Sequence, residues 1–488
     1  AQSGPAPLST LRHSVSHLMA DAVLRLFPDA KVAIGPPIDH GFYYDFELAR
    51  PLTDDDLPLI EEKMREILSE AGEFTRSTCS REEAVTRLKE MGQSYKLELL
   101  EDIPEGEEIS FYDHGTWSDL CEGPHIEKAA QIRRDAFRLT HVAGAYWRGD
   151  SDKTMLQRIY GTAWWHKKDL KKYESYLEEV QKRDHRKIGR EQDLFSLHPD
   201  FGAGLVFWHP KLGHVRRQLE QWWWDLHQAR GYWPVYTPHI AGEPIFRQSG
   251  HLQNYADMIW PSMDVDGRPH RMKPMNCPGH VTIFNSRRHS YRDLPRRFAE
   301  LGTVYRYEPS GTLHGMLRVR GFTQDDAHIF CTPAQLEDEL VDVLSLVDTI
   351  LTTFGYEYTA YLATRPEKSL GTDEVWGHAT DALKGAAARR ELQLEDDPGG
   401  GVFYGPKIDF KLRDALGREW QGPTVQVDFN LPERFDLEFN DADNALKRPV
   451  MVHRAIFGSL ERFVGGLIEH FAGWFPLWIC PIPVAVLP

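Results

Sequence analysis

Apolar residues recur at helical spacing from the start of the chain. Leu11, Val15, Leu18, Met19, Ala22 and Leu26 fall within about 100° of one another at ~100° per residue. The pattern predicts an amphipathic helix capped by Ser9 or Thr10. His13 and His17 fall roughly opposite the stripe, which puts them on solvent or a cleft rather than in the core. Residues 54–70 and 81–91 read as further helices. Residues 107–150 alternate as strands, with turns at Asp113-His114-Gly115 and Gly123-Pro124. An α+β domain over residues 1–160 is the simple inference. Residues 164–187 predict a charged amphipathic helix, which makes 161–192 a rigid connector.

From Asp193 the pattern changes. Gly213–Arg230 predicts a long helix leading to a strand over Tyr232–Thr237 and then Pro238. Residues 297–330, 401–412 and 419–430 read as antiparallel strands, Asp396–Gly401 as a loop, and Met451–His470 as a strand followed by a helix from near Gly458. The fold class is therefore α+β, an antiparallel sheet flanked by helices, over a second domain at 193–476. Residues 304–331 carry the most chemistry. A strand with Arg306 and Glu308 enters a Pro-Ser-Gly loop and returns through Leu317, Val319 and Phe322, with Arg318 and Arg320 between them. Arginines on a rigid scaffold suit a polyphosphate, because each guanidinium gives always-charged, bidentate hydrogen bonds. Two arginines alone fit a solvated hairpin equally well. The Gln324-Asp325-Asp326-Ala327-His328 run places an amine-binding carboxylate and a metal ligand beside them.

This segment resembles motif 2 of class II aminoacyl-tRNA synthetases in the form carried by bacterial-type threonyl-tRNA synthetases. Met272–His280, Phe403–Asp409 and Val452–Phe463 match the same family, and Gly213–Pro238 is similar to its dimer-forming motif 1. Upstream, His13–His17, Ser118–His125 and Ala143–Gly149 resemble its editing domain. The resemblance implies a threonine–tRNA ligase that uses ATP, L-threonine and tRNA(Thr) and works as a homodimer. It implies one Zn²⁺ per chain on Cys277, His328 and His453, whose spacing alone would flag no metal site, with Mg²⁺ accompanying ATP. Three protein ligands leave zinc open to substrate. Arg306, Arg462 and Lys407 take the catalytic roles. Glu308, Arg318, Phe322 and Gln421 join Arg306 and Arg462 around ATP, and Asp326, Tyr404, Gln324 and Gln426 hold threonine. His13, His17, Lys96, Asp119, Cys121 and His125 form an editing cleft, expected to be metal-free. At Gln421-Gly422-Pro423-Thr424 many members have Cys-Gly before the threonine. The family's small N-terminal domain is expected to be missing, and residues 477–488 to be a stub of its anticodon-binding domain.

Composition narrows the partners. A net charge of −16 argues against general nucleic-acid affinity, but residues 151–190 hold eleven Lys/Arg against six Asp/Glu, a local basic face or a solvated helix. Five cysteines make no disulfide framework and suggest a reducing cytoplasm; Cys79, Cys331 and Cys480 read as structural. No signal peptide precedes His13, and Trp474–Pro488 is too short and proline-rich to span a membrane. Two other classes stand beside the ligase. A metallohydrolase could use His13, His17, Cys121 and His125 as a closed zinc site, although Ser14 stands where HExxH has its glutamate. A non-catalytic RNA-binding paralogue would be expected to lose the ATP arginines, and Arg306 and Arg462 are both present.

Overall fold

The computed structural model describes residues 6–70, 72–150 and 152–484. The chain divides into two compact units, residues 1–178 and 179–488, and the division falls inside the helix Lys167–Arg183. That helix ends at Arg183 and a separate one, His185–Glu191, follows. The single helix expected over 164–187 is broken at Asp184, whose carboxylate caps the second helix by accepting from the Arg186 N–H at 2.8 Å.

In the first unit the helix Leu8–Leu26 lies on a five-stranded antiparallel sheet. Its main path runs Lys31–Val32, Gly41–Glu47, Met155–Ala163, Phe137–Tyr146. The stripe residues Leu11, Val15, Leu18, Met19 and Ala22 are buried, and they meet Phe42, Tyr44, Phe46, Ile60 and Met64 in one core. The expected cap is not used. The helix starts at Leu8 after Pro7, with no side-chain cap, so Ser9 and Thr10 lie in its first turn. Proline suits that boundary because its φ is preset and it has no N–H to leave unsatisfied. A second sheet of Phe74–Cys79, Ile109–His114 and Trp117–Leu120 carries the helices Arg81–Glu90 and Ser94–Asp102. Arg81–Glu90 starts in a Ser80/Glu83 capping box. Ser94–Asp102, which the pattern did not suggest, has no side-chain cap.

The second unit is built on an eight-stranded sheet. Its order is Trp233–Pro234, Arg296–Tyr305, Gly321–Cys331, Val450–Ser459, Glu419–Asp428, Lys407–Arg413, Glu357–Ala363, Leu394–Asp397. Helices Pro210–Ala229, Leu336–Thr353, Asp373–Arg389 and Leu460–His470 supply its main core. Trp223, inside the segment similar to the dimer-forming motif, is wholly buried in this core, with Trp222 and Trp224 packed against it. The Asp396–Gly401 loop begins later than expected, because Asp396 and Asp397 pair with Leu362 and Ala363.

The central hairpin also differs from the expected one. Its strands stop at Tyr305 and resume at Gly321, so Arg306, Glu308, Arg318 and Arg320 sit in a long loop. Arg306 N–H still reaches the Arg320 carbonyl at 2.9 Å, but the neighbouring N–H groups go elsewhere. Tyr307 N–H donates to the Met258 carbonyl and Arg320 N–H to the Gly204 carbonyl, each at 2.8 Å, while Pro309 has none to give.

Candidate functional site

Side chains two apart on a strand share a face, so Gln324, Asp326 and His328 project together from Gly321–Cys331, and all three line one cavity of about 450 Å³. The pairing with Val450–Ser459 shifts register between Gln324 and Asp326. Asp325, inside the shift, points the other way, and its carboxylate accepts from the Ile456 and Gly458 N–H groups at 3.0 and 2.9 Å. Burial lifts Asp325 to about 6, against the pull of Arg454 and these N–H donors. It holds the bulge rather than a ligand.

At one end of the cavity stand Arg306, Arg318 and Arg462, with Glu308, Phe322 and Gln421. Arg306 lies over the Phe322 ring at 5.2 Å, and Arg318 pairs with Glu308 at 3.0 Å. Burial, followed by the charges of Arg318 and Arg306, pushes Arg462 below its ordinary value despite Glu308. Such concentrated positive charge in a recess is what an anionic ligand relieves. Lys407 is not on this wall. Its ammonium is 2.5 Å from Asp409, and Asp409 accepts in turn from the Thr424 hydroxyl at 2.8 Å. The residue thus supports the wall from behind.

At the other end, Asp326 accepts from the Asn276 amide at 3.1 Å, and the Tyr404 hydroxyl donates to Gln426 at 2.7 Å. Here Cys277, His328 and His453 bring one donor atom each within 4.8 Å of the others. Cys277 opens the helix Cys277–Asn285. His328 and His453 face each other directly across the ladder, which no linear spacing reveals.

Protons around the two imidazoles can be assigned from their partners. His453 Nε2 donates to Asp428 at 2.8 Å, which leaves Nδ1 bare. His280 Nε2 donates to Glu300 at 2.9 Å, so its Nδ1 accepts from His328 Nδ1 at 2.8 Å. The bare His328 Nε2 and His453 Nδ1 then face one another 3.0 Å apart. Two lone pairs so close call for a cation between them, and a nearby thiol completes a soft N₂S donor set of the kind zinc prefers. Burial first, then the charges of His453 and His280, pushes His328 well below its ordinary value, and burial pushes the Cys277 thiol well above its own. The residues fit the metal. His251 was not anticipated: its Nε2 is 3.7 Å from Cys277 Sγ and 3.0 Å from Met275 Sδ.

The first unit holds a separate cavity of about 480 Å³, lined by His13, His17, Lys96, Asp119 and Cys121. His125 lies beside it, with its Nε2 3.4 Å from Cys121 Sγ, and His13 Nε2 approaches the same sulfur at 3.4 Å. Lys96 Nζ pairs with Asp119 at 2.8 Å, and the Tyr44 hydroxyl donates to the same carboxylate at 2.5 Å. The wheel put both histidines off the core, yet His17 is only 2 % exposed, at the floor of the cleft. Burial lowers all three imidazoles, His125 to about 2, and raises the Cys121 thiol to about 12. At neutral pH these are uncharged rings and a thiol around one Lys–Asp pair.

Comparison with known proteins finds family matches in both units. Residues 263–471 match the class II core domain of tRNA synthetases (G, H, P, S and T), and residues 109–160 match the second additional domain of threonyl and alanyl tRNA synthetases. A threonine–tRNA ligase of Magnetococcus marinus is 52% identical over 486 residues, 99% of this chain and 75% of that protein. The chain belongs to the threonine–tRNA ligase family. A chloroplastic/mitochondrial threonine–tRNA ligase of Arabidopsis thaliana is 53% identical over 99% of the chain and 74% of its own length. Among solved structures, the RNA binding domain of threonyl-tRNA synthetase from Cryptosporidium parvum superposes with a TM-score of 0.60 at 39% identity, over 61% of this chain and 74% of that one. A threonyl-tRNA synthetase from Aeropyrum pernix gives 0.55 at 34%, over 62% and 71%.

Within this ligase family member, the ligand triad and the arginines were reached through the resemblance. The supporting residues Asn276, His280, Glu300 and Asp428 were missed. Each is buried, and a buried polar residue in a core-facing segment is the signal that could have found them.

Proposed function

We propose that this chain joins L-threonine to ATP as threonyl-adenylate with release of pyrophosphate, transfers the threonyl group to the 3′ end of tRNA(Thr), and hydrolyses seryl-tRNA(Thr) in the first unit. The observation that carries the reading is one cavity with an N₂S donor set at one end and three arginines at the other. Arg306 and Arg462 hold the α-phosphate and the threonine carboxylate in line, and Arg318 takes the terminal phosphates of MgATP. Phe322 stacks on the base, and Glu308 and Gln421 line the nucleotide side. Asp326, with Tyr404, Gln324 and Gln426, receives the amino group. Carboxylate attack on the α-phosphate needs no protein nucleophile, because positioning and charge stabilisation suffice.

Cys277, His328 and His453 would hold one zinc ion, a Lewis acid able to take both the amino and the hydroxyl group of threonine. Valine lacks the hydroxyl, and a site built to bind one discriminates against its absence by ~10⁴ or more. We further assign residues 1–160 to editing, 161–192 to a linker and 193–476 to aminoacylation. The working form is taken to be a cytoplasmic homodimer, in keeping with five free cysteines; no helix of the described residues is long and apolar enough to cross a membrane.

Arg306→Ala tests the nucleotide assignment. Losing a charge-stabilising donor in the transition state costs about 10²–10³ in rate, so threonine-dependent ATP–pyrophosphate exchange should fall at least that far with the melting temperature unchanged. Exchange near the parent rate would overturn the role.

A further inference from the structure

The 306–320 loop carries the nucleotide-facing side chains but has almost no ladder of its own; its internal bridge joins His314 and Arg318. Its position is set from outside. The Leu317 carbonyl accepts from Arg462 Nε at 2.9 Å. One residue earlier, the buried Met316 donates its N–H to Nε2 of His185 at 3.0 Å. His185 is wholly buried at the start of the helix His185–Glu191. Its other nitrogen, Nδ1, donates to Glu469 at 2.7 Å, near the end of the Leu460–His470 helix that also carries Arg462.

The partners fix the tautomer. A backbone N–H can donate only to a bare nitrogen, so Nδ1 carries the proton. Burial works to raise Glu469, but hydrogen bonds from His185 and Arg418 outweigh it and hold the carboxylate below its ordinary value. Asp184, His185 and Glu469 bring donor atoms together, yet both imidazole nitrogens are already engaged, so the cluster is a tether and not a metal site. Gly315 has φ +51°, and a Cβ there would lie 2.1 Å from His185 Nε2. The loop meets the ring so closely that glycine alone fits.

We propose that His185 is a positioning residue for nucleotide binding. Held by Glu469 as an acceptor at Nε2, it pins the Gly315–Leu317 turn, and through that turn it aims Arg318 and Arg462 at the polyphosphate. This inference rests on the reading that those two arginines take the phosphates of ATP.

The experiment compares His185→Asn with His185→Gln in the whole chain, with ATP–pyrophosphate exchange as readout. Asparagine mimics the Nδ1 donor toward Glu469 but cannot reach Met316, whereas the glutamine carbonyl falls where Nε2 was. His185→Asn should raise the KM for ATP about tenfold, the effect of one lost buried hydrogen bond. The KM for threonine should stay within about twofold, and His185→Gln should recover most of the loss. An unchanged ATP KM in His185→Asn, a parallel rise in both KM values, or equal behaviour of the two variants overturns the proposal. Gly315→Ala displaces the same contact from the loop side and decides the matter if His185→Asn does not fold. A selective rise in ATP KM supports the tether, and any other result overturns it. Arg318→Ala in the same assay separates the two readings. If it also leaves the ATP KM unchanged, the nucleotide assignment has failed; if it alone raises it, only the role of His185 has.

Discussion

Each imidazole of the N₂S set has its proton drawn away from the centre by a buried acceptor. Asp428 acts directly on His453, and Glu300 acts through His280 on His328. Glu300 is itself held by Lys273 at 3.0 Å and by the Thr237 hydroxyl. Partners of this kind fix the tautomer and raise ligand basicity, and their loss typically costs 10–100-fold in metal affinity. Glu300→Gln should therefore weaken zinc binding by about 10–100-fold in competition with a chelator, while Cys277→Ser should lose the metal outright. Full zinc occupancy in Cys277→Ser would remove the assignment. Unchanged affinity in Glu300→Gln would reduce His280 to a packing residue. At this scale the sequence said little by itself. The triad is scattered along the chain, and its proximity comes from cross-strand register and one helix start, which only the fold supplies. Resemblance pointed to the three donors; it did not point to what orients them.

At the scale of elements, periodic segments were legible and exits from them were not. The helix stripe at Leu11–Ala22 and the helix expected over 81–91 stand in the structure as the pattern implies. Leu336–Thr353 and Asp373–Arg389 were overlooked although their signals were present: acidic first turns in both, and Thr372 capping the second by accepting from Val375 N–H. The central hairpin ended early because distant carbonyls of Met258 and Gly204 capture its N–H groups, a competition invisible to local pattern. The same reasoning narrows the expected dimer contact within Gly213–Pro238. Trp223 is spent on its own core, while Trp233, on the outermost strand of the sheet, is 57% exposed and Tyr236, just past that strand, 81%. An edge strand with exposed aromatics is a ready surface for a second chain. Light scattering at micromolar concentration should show a dimer for the parent and a monomer for Trp233→Arg with Tyr236→Arg. A monomeric parent, or a variant that stays dimeric, would contradict this.

For the whole molecule the question is why two cavities exist. The synthetic cavity can reject valine through the missing hydroxyl, but serine keeps both groups that the N₂S centre would bind. Losing one methyl contact is worth only ~1–3 kcal/mol, or roughly 10–200-fold. A second, hydrolytic site is the physical remedy, and the first unit offers one of suitable chemistry. Burial keeps His13, His17 and His125 uncharged, so an imidazole facing the cavity can accept a proton from an attacking water. In that role Lys96, held by Asp119 at 2.8 Å, would stabilise the charge that develops on the ester carbonyl. The four donors His13, His17, Cys121 and His125 also lie close enough to hold an ion. Cys121, however, already accepts from Gly123 N–H at 3.3 Å, and the Lys96 charge bears on His13 and His17, so metal analysis should find one zinc per chain, not two. The decisive variant is His13→Ala combined with His17→Ala, neither of which belongs to the second unit. Threonine-dependent pyrophosphate exchange should be unchanged, while deacylation of added seryl-tRNA(Thr) should fall by about 10² or more, as expected when a general acid–base group is removed. Mischarged tRNA should then accumulate in aminoacylation with serine. Deacylation at the parent rate would show that the cleft is not where correction occurs, and a matching loss of threonine activation would show that the two units do not work as separate sites.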